Sequence, residues 1–276
     1  MNESNQLLFD VSDDIATITL NRPEARNALS SEITAGLDHA FAQINERAGD
    51  DIKAVIITGA GGAFCAGGDV KAMGDREKNP IDGRNRLRSS HHRIHDLFSM
   101  EVPTIALVDG AAAGAGCNLA LAADFVLATP RAMFMEAFGR IGLVPDWGGF
   151  FILPRLVGLA KAKEMVFTAR KIGAEEAKEM GLVFRIVNQE GAMDEARAFA
   201  KRFTAASTTA IGMAKSILNN SFNTDLKGLL EMEAFAQGMC STSDYHSEAV
   251  RRFREKEPAM FDWERFEAQD KEQERN

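Results

Sequence analysis

The chain has 276 residues and a formal net charge of −8, with 45% hydrophobic and 26% charged residues. This composition is typical of a soluble globular protein of one large or two small domains, and the acidic balance argues against nucleic-acid binding. No apolar run approaches the ~20 residues that cross a bilayer, and the acidic N-terminus does not resemble a secretory signal, so we expect a cytoplasmic protein without a membrane partner.

The first two thirds of the chain alternate strand-like and helix-like segments. Segment 30–46 repeats apolar residues at helical spacing, with Ser30 or Ser31 as N-cap, and a helix at 174–181 ends at Gly181. Short β-branched or apolar runs are predicted to be strands. They lie at 15–23, at the start of 53–69, at the start of 104–124, and at 125–129, 132–138 and 181–187. This alternation predicts a largely parallel α/β core.

Strand signals disappear from about residue 193. The segments that follow repeat apolar residues at helical spacing with polar breaks between them, at 193–206, 208–222, 225–240 and 245–257. We therefore divide the chain into an α/β core at 1–192 and a helical region at 193–276, for which a role in packing or assembly is natural.

The basic segment 84–93 and the three cysteines carry no strong functional signal. We expect 84–93 to be a solvated helix face or a mobile loop, with a role as an active-site lid favoured over metal binding. On a helix, His91, His92 and His95 do not gather three ligands at one point, and the cysteines lack CxxC spacing, so no metal site is predicted.

Two loops share one plan, in which a strand leads through small residues to the start of a helix. They are AFCAGGDV (63–70) and GAAAGAGCN (110–118). Small residues let the backbone approach a ligand, and unpaired amides at a helix N-terminus bind a phosphate or a developing oxyanion. Neither loop contains the Gly-Lys-Ser/Thr sequence that a Walker motif requires, and the dinucleotide fingerprint is broken at Leu119, so nicotinamide binding is disfavoured.

These loops belong to a set of six motifs that occur in the order of a known family. The motifs are LNRPEARNALS, AFCAGGDVKAM, VPTIALVDGAAAGAGCNLALAADFVLA, IGLVPDWGGFFILPRLVG, EEAKEMGLVFRIV and FREKEPAMF. Together they resemble the enoyl-CoA hydratase/isomerase family, the crotonase superfamily. The resemblance implies a spiral of ββα units, C-terminal helices for trimerisation, a homotrimer or dimer of trimers, and an acyl-CoA thioester as ligand with no other cofactor.

The resemblance also implies roles for individual residues. The amides of Gly68 and Ala115 match the two donors of the oxyanion hole, and Ala115 keeps this donor although the family has glycine there. Further residues match positions that line the CoA groove or approach the CoA tail, sometimes from a neighbouring chain: Arg26, Ala28, Ala66, Gly68, Asp69, Val70, Phe253 and Lys256.

Asp146, in IGLVPDWGG (141–149), is the candidate base. Hydratases of the family use two glutamates, and the matching positions here are Asn118 and Phe138, so both carboxylates are absent. Asn118 can orient a water or the thioester but cannot exchange protons. The Asp146 segment resembles members that move double bonds, including Δ3,Δ2-enoyl-CoA and 1,2-epoxyphenylacetyl-CoA isomerases, in which one acidic residue at this place is the base.

An apolar wall is expected to raise the pKa of Asp146, so that one carboxylate removes a proton and returns it two carbons along. The residues expected in this wall are Phe138, Val144, Trp147 and Phe150. The alternative is that Asp146 caps the following helix or forms a turn. A shifted register would make Glu136 a second acid, which we regard as the lesser alternative.

The sequence therefore predicts an enoyl-CoA isomerase. Enoyl-CoA hydration and a CoA-ester-binding protein with little catalysis remain the alternatives. Other carboxylates are expected to be structural: Asp69 as the cap of a helix beginning at Val70, and Asp124 as a helix end or a local partner.

Overall fold

The computed structural model describes residues 6–69, 79–266 and 268. Val70 and the helix expected to follow Asp69 lie outside the described residues. The strands are β1 (Leu7–Ser12), β2 (Ile15–Leu20), β3 (Ala54–Gly59), β4 (Thr104–Val108), β5 (Ala111–Ala113), β6 (Phe125–Ala128), β7 (Met133–Met135), β8 (Ile172–Gly173) and β9 (Arg185–Ile186).

Helices follow most of these strands. The α-helices are α1 (Ser31–Arg47), α2 (Pro80–Ser99), α3 (Ala115–Leu121), α4 (Gly149–Thr168), α5 (Ala174–Glu179), α6 (Ala192–Phe203), α7 (Thr208–Asn220), α8 (Leu226–Ser241) and α9 (Asp244–Glu255). Short 3-10 helices lie at Pro23–Ala25 and Ala137–Ile141. In the described part of the chain, no helix combines the length and the apolar character that a membrane-spanning helix needs.

The main sheet has the order β1-β2-β3-β4-β6-β9, with β1 antiparallel to β2 and the other pairs parallel. A smaller sheet has the order β5-β7-β8. Both faces of the main sheet are covered. Side chains such as Ile18 and Ile57 pack with α1 on one face, whereas Ile56 and Ile105 pack with Phe199 of α6 on the other. The predicted α/β class is confirmed.

Local signals predict several elements well. Ser30 caps α1 by accepting a hydrogen bond from the amide of Ile33 at 3.1 Å, and α5 ends just before Gly181, whose φ is +85°. The C-terminal helices occur where apolar spacing predicts them. The strand predicted at 181–187 is shorter, Arg185–Ile186, because Leu182 and Val183 pack into the core in the turn that follows α5.

An ion pair between a buried lysine and a partly exposed aspartate joins α7 to the main sheet. Nζ of Lys215 donates to Oδ2 of Asp124 at 2.7 Å, and the same oxygen accepts from the amide and hydroxyl of Thr104 at 2.7 and 2.9 Å. The expectation that Asp124 ends a helix or pairs locally is therefore wrong. Its cation comes from an element 91 residues away, and no periodicity of sequence indicates such a partner.

Candidate active site

The two glycine-rich loops lie side by side because β5 pairs with the first loop. The amide of Cys65 donates to the carbonyl of Ala111, and the amide of Ala113 donates to the carbonyl of Cys65, each at 2.9 Å. On the other side, the amide of Leu29 donates to the carbonyl of Gly67 at 2.8 Å. These ladder bonds hold the 63–69 backbone beside the start of α3.

The fit between the loops requires glycine. Gly67 has φ +92°, and a Cβ there would lie 2.6 Å from the carbonyl oxygen of Ala113 and 3.5 Å from the amide nitrogen of Ala115. A Cβ on Gly116 would collide with the carbonyl oxygen of Cys65. The loop backbones are therefore in direct contact, and any side chain at these positions would separate them.

The amides of Gly68 and Ala115 are available for a ligand. Within the described residues, neither donates a hydrogen bond to another protein group. Ala115 is the first residue of α3, where helical geometry leaves the amides without intrahelical partners. Gly114, with φ +52° and ψ −125°, turns the chain from β5 into this helix in a conformation open only to glycine. This arrangement suits an oxyanion hole.

We expect Gly67→Ala to lower kcat by about 100- to 1,000-fold, the loss typical of removing one oxyanion donor. The added methyl would push the first loop away from Ala113 and Ala115. Gly83→Ala is the matched control, because Gly83 lies in α2 with nothing within 4 Å of an added Cβ. Steady-state kinetics with a common thioester substrate compare the two variants, and equal kcat values would contradict the assignment.

Asp146 is held by its backbone carbonyl, and one oxygen of its carboxyl has no hydrogen-bond partner among the described residues. Its carbonyl accepts hydrogen bonds from Nδ2 of Asn118 at 2.8 Å and from the amide of Gly149 at 3.0 Å. Oδ1 of Asp146 is buried without a hydrogen-bond partner among the described residues. The residue at the N-cap of α4 is Gly148, and no side chain caps this helix end. The capping alternative for the Asp146 side chain is therefore wrong, whereas the turn alternative is confirmed, because the hydrogen bond from the Gly149 amide to the Asp146 carbonyl closes a turn.

Burial raises the pKa of Asp146 to about 6. Trp147 is 8% exposed, and its φ of +49°, uncommon for a bulky residue, turns its ring into the core. Phe138 is 7% exposed and lies beside Gly114. Val144 and Phe150 are exposed in the described chain, so they do not contribute to burying Asp146, and their expected part in an apolar wall is wrong.

Glu136 is a second buried carboxyl at this place, and the sequence reading undervalued it. The side chain is 1% exposed, and neither carboxyl oxygen has a hydrogen-bond partner among the described residues. Burial raises its pKa to about 7; the neighbouring Cys117 and Asn118 side chains oppose this shift, and the charge of Asp146 adds to it. A glutamate between apolar residues at the end of a predicted strand was the available signal.

Sequence reasoning also missed Asn27, which is fully buried in a left-handed conformation. Its Nδ2 donates to the carbonyls of Ala60 and Ala63 at 2.9 and 2.7 Å, and its Oδ1 accepts from the amide of Arg22 at 2.8 Å. Asn27 thus ties the segment before α1 to the first glycine-rich loop. A polar residue just before an apolar pair was the only local sign.

Residues 84–93 belong to α2, which confirms the prediction of a solvated helix face over that of a loop, whereas the role as a lid stays a prediction. Asp38 of α1 accepts hydrogen bonds from Arg93 at 2.6 Å and from His92 at 2.9 Å, which anchors α2. No group of three potential metal ligands occurs among the residues described. A cavity of about 380 Å³ between α2, α4 and α7 borders the site only at Gly148, so it does not mark the reacting centre.

Comparison with known proteins decides the family. Residues 10–265 match the family model described as enoyl-CoA hydratase/isomerase. The chain belongs to this family.

Its relatives include both hydratases and an isomerase. A probable enoyl-CoA hydratase of Rhodobacter capsulatus is 39% identical, covering 92% of this chain and 96% of the relative. The 1,2-epoxyphenylacetyl-CoA isomerase of Escherichia coli is 34% identical, covering 92% and 97%. The crystal structure of an enoyl-CoA hydratase/isomerase from Cupriavidus metallidurans gives a TM-score of 0.89 at 34% identity, covering 95% and 97%. The crotonase-like fold is thereby confirmed, and the names leave the reaction open.

The remaining predicted residues are those that the resemblance to this family assigns to the CoA groove. Arg26 is exposed in a left-handed conformation, and its carbonyl accepts from the amide of Ala66 at 2.9 Å, next to the buried Ala28. Asp69 forms an ion pair with Arg22 at 2.7 Å. These residues surround the first loop, as a CoA groove there requires, whereas their contacts with CoA stay a prediction.

The two C-terminal residues predicted to approach CoA are exposed at the end of α9. Phe253 is 86% exposed in α9, and Lys256 is exposed just beyond its end. Nothing in one chain covers Phe253 among the residues described, so the prediction that it meets CoA depends on the assembly. Asn118 and Phe138, which the resemblance matches to the two glutamates of the hydratases, are both buried, and neither can exchange a proton.

Proposed function

We propose that this chain is an acyl-CoA enzyme that moves a carbon–carbon double bond, with Asp146 as the proton shuttle. The observation that carries the proposal is the buried, unpartnered Oδ1 of Asp146, whose pKa is raised to about 6. A base with a pKa near neutrality can both take and return a proton.

The reaction needs one base and one oxyanion hole. With a 3-enoyl-CoA, the Asp146 carboxylate removes a proton from C2, and the electron pair moves onto the thioester oxygen. The amides of Gly68 and Ala115 stabilise the resulting dienolate. The dienolate then collapses as the Asp146 carboxyl returns the proton to C4, which leaves a 2-enoyl-CoA. No other cofactor is consumed.

Enoyl-CoA hydration is the second candidate, because Glu136 places another buried carboxyl beside Asp146. In that case one carboxylate would activate water and the other carboxyl would protonate the α-carbon. A CoA-ester-binding protein with little catalysis is the third candidate. In that case the carboxyls of Glu136 and Asp146 would take no part in a reaction.

We also propose that the helical region at 193–276 assembles the chain into a trimer or a dimer of trimers. Large apolar side chains stand exposed along α7, α8 and the turn between them, among them Leu218, Phe222, Leu226 and Phe235. Exposed apolar surface of this kind supports an interface between copies. Light scattering measures the assembly state, and a monomer at micromolar concentration would contradict it.

The reaction is tested with a 3-enoyl-CoA and with crotonyl-CoA. An isomerase converts the 3-enoyl thioester to the conjugated 2-enoyl thioester, which is followed by its ultraviolet absorbance, and hydrates crotonyl-CoA far more slowly. Efficient crotonyl-CoA hydration would instead support the second candidate. A thermal shift with butyryl-CoA, without turnover of either substrate, would support the third. NADH serves as the control ligand and is expected to give no shift.

A further inference from the structure

The cavity between α2, α4 and α7 begins where the Asp146 turn ends. Gly148, two residues after Asp146, forms part of its wall, and its volume of about 380 Å³ is within the range of small-molecule sites. A Cβ on Gly148 would lie 3.3 Å from the side chains of Ile94 and Ile152, so glycine keeps this end of the cavity open. The cavity therefore offers space for an acyl group beside the segment that carries the proposed base.

The wall of this cavity has an apolar side and a polar side. On the apolar side, from α2 and α4, the rings of Phe98 and Phe151 meet edge to face with their centroids 5.5 Å apart. The polar side comes from α7 and the turn that follows it, and consists of Ser216, Asn219, Asn220 and Asn223. No carboxylate lines the cavity among the described residues. This wall suits an acyl group that is partly polar and is not repelled by acidic side chains.

A cation lies against the wall of the cavity. The guanidinium of Arg155 lies over the ring of Phe151, 3.5 Å from its centroid, and its Nη1 donates to the carbonyl of Phe151 at 2.8 Å. Its Nη2 donates to Oδ1 of Asn223 at 3.0 Å. Phe151 and Asn223 both line the cavity, so the guanidinium is in contact with two residues of its wall.

Arg155 has no counter-ion within the described part of the chain. Its two hydrogen bonds go to a carbonyl and an amide oxygen, and its Nε is buried without a hydrogen-bond partner there. A guanidinium has five N–H donors, so each Nη nitrogen of Arg155 keeps one hydrogen unused. These two hydrogens are in the planar arrangement that binds a carboxylate. A half-buried cation of this kind favours an anionic partner.

Helix geometry sets the distance from the base to this cation. Gly148, Phe151 and Arg155 follow one another at spacings of three and four residues, so they lie on one side of α4. Seven residues of helix rise about 10 Å, and the hydrogen bond to the Phe151 carbonyl turns the guanidinium back towards Gly148. An extended acyl chain of about six carbons spans such a distance.

We propose that this cavity binds the far part of the acyl group and that Arg155 pairs with a carboxylate at its end. The substrate class is then the CoA monothioesters of unsaturated dicarboxylic acids. The inference rests on the proposed function, in which the thioester lies against the amides of Gly68 and Ala115 and the reacting carbons face Asp146. Arg155 does not touch the reacting atoms, and its role is to select the acyl group.

Saturated thioesters test this selection by binding alone. Adipyl-CoA and hexanoyl-CoA have acyl chains of the same length, and only adipyl-CoA ends in a carboxylate. We expect the wild-type chain to bind adipyl-CoA about 10-fold more tightly in calorimetry, because hexanoyl-CoA leaves Arg155 without an anion. Equal affinities, or tighter binding of hexanoyl-CoA, would overturn the inference.

Arg155→Met is expected to abolish this preference, by weakening adipyl-CoA about 10-fold while hexanoyl-CoA stays within a few-fold of wild type. Arg155→Lys keeps the charge without the forked donors and is expected to keep part of the preference. Lys163→Met is the matched control, because it removes one positive charge from an exposed position of the same helix. If K163M loses the preference as R155M does, net charge alone is responsible and the inference fails.

Ser216→Phe tests whether the acyl group enters the cavity. Ser216 lies in the cavity wall and is exposed, so phenylalanine is expected to occupy the cavity without disturbing the core. We expect adipyl-CoA and hexanoyl-CoA to bind about 10-fold more weakly to S216F, with the affinity for acetyl-CoA unchanged. If S216F binds all three thioesters like wild type, the acyl group lies elsewhere.

A carboxylate of a second copy of the chain is the competing partner of Arg155, since the neighbouring Phe222 is 76% exposed. Light scattering of R155M separates the two partners. Dissociation of the assembly, together with equal wild-type affinities for the two thioesters, would assign Arg155 to an interface and overturn the inference. If Asp146→Asn keeps full activity, the proposed function fails, and the affinity ratio still decides the role of Arg155.

Discussion

Asp146→Asn is expected to lower the isomerisation of a 3-enoyl-CoA by about 1,000-fold, within the usual contribution of a general base. Binding of butyryl-CoA, measured by calorimetry, is expected to stay within a few-fold of wild type. Asparagine has nearly the same shape as aspartate. The hydrogen bonds that hold this residue are accepted by its backbone carbonyl, so we expect the loop geometry to be preserved. What is lost is the ability to take a proton.

The same substitution is expected to stabilise the chain. The folded-state pKa of Asp146 is about 6, above the ordinary value of about 4, so the folded state binds the proton more tightly than the unfolded state. Wild-type stability therefore falls as the pH rises from about 4 to 6, and asparagine removes this loss. With a discount for partial solvent access, we expect D146N to gain about 1–2 kcal/mol above pH 6.

Loss of activity combined with a gain in stability is the result expected for a carboxylate whose role is catalytic rather than structural. Urea unfolding at several pH values measures the gain, which is expected to fade as the pH falls towards 4. Phe150→Ala is a useful control, because this side chain is exposed one residue into α4 and is not expected to change the pKa of Asp146. A D146N variant that is both active and less stable would indicate a structural residue.

Asp124→Leu is expected to lower the free energy of unfolding by about 3–5 kcal/mol, because it leaves a buried ammonium group without its counter-ion. The Lys215 side chain is only 7% exposed, and its remaining acceptor is the carbonyl of Val102 at 3.3 Å. Lys215→Met is the matched variant. Lys215→Met is expected to lower the free energy of unfolding by less, because Asp124 keeps the hydrogen bonds from the Thr104 amide and hydroxyl and some exposure to water.

The pH dependence of this effect has a definite sign. Burial already lowers the pKa of Lys215, and Asp124 opposes that shift. Without Asp124 the folded-state pKa falls further below that of the unfolded chain, so the penalty is largest at neutral pH. It diminishes as the pH rises towards the ordinary pKa of lysine. Urea midpoints of D124L and K215M at neutral and alkaline pH measure this, and if D124L does not fold, Asp124→Asn gives the same comparison.

Local signals in the sequence predicted much of the secondary structure. A serine cap and apolar spacing gave α1, and the same spacing gave α6 to α9. β5 was not predicted, since three alanines have no preference for a strand. Ala111–Ala113 becomes a strand because it pairs with β7 and with the Cys65 segment. The division of the chain at 192 stays a prediction, and α6, just beyond it, packs on the main sheet.

The family, the two glycine-rich loops and the unusual setting of Asp146 could be recognised from the sequence, because they depend on residue types at short spacing. The desolvation of particular carboxyls could not be recognised in this way, because it depends on packing. Glu136 and Asp146 are ten positions apart, and their burial comes from the packing of β7 and the Asp146 turn against α3. A pKa depends on the water and charges around a group, and these come from segments distant along the chain.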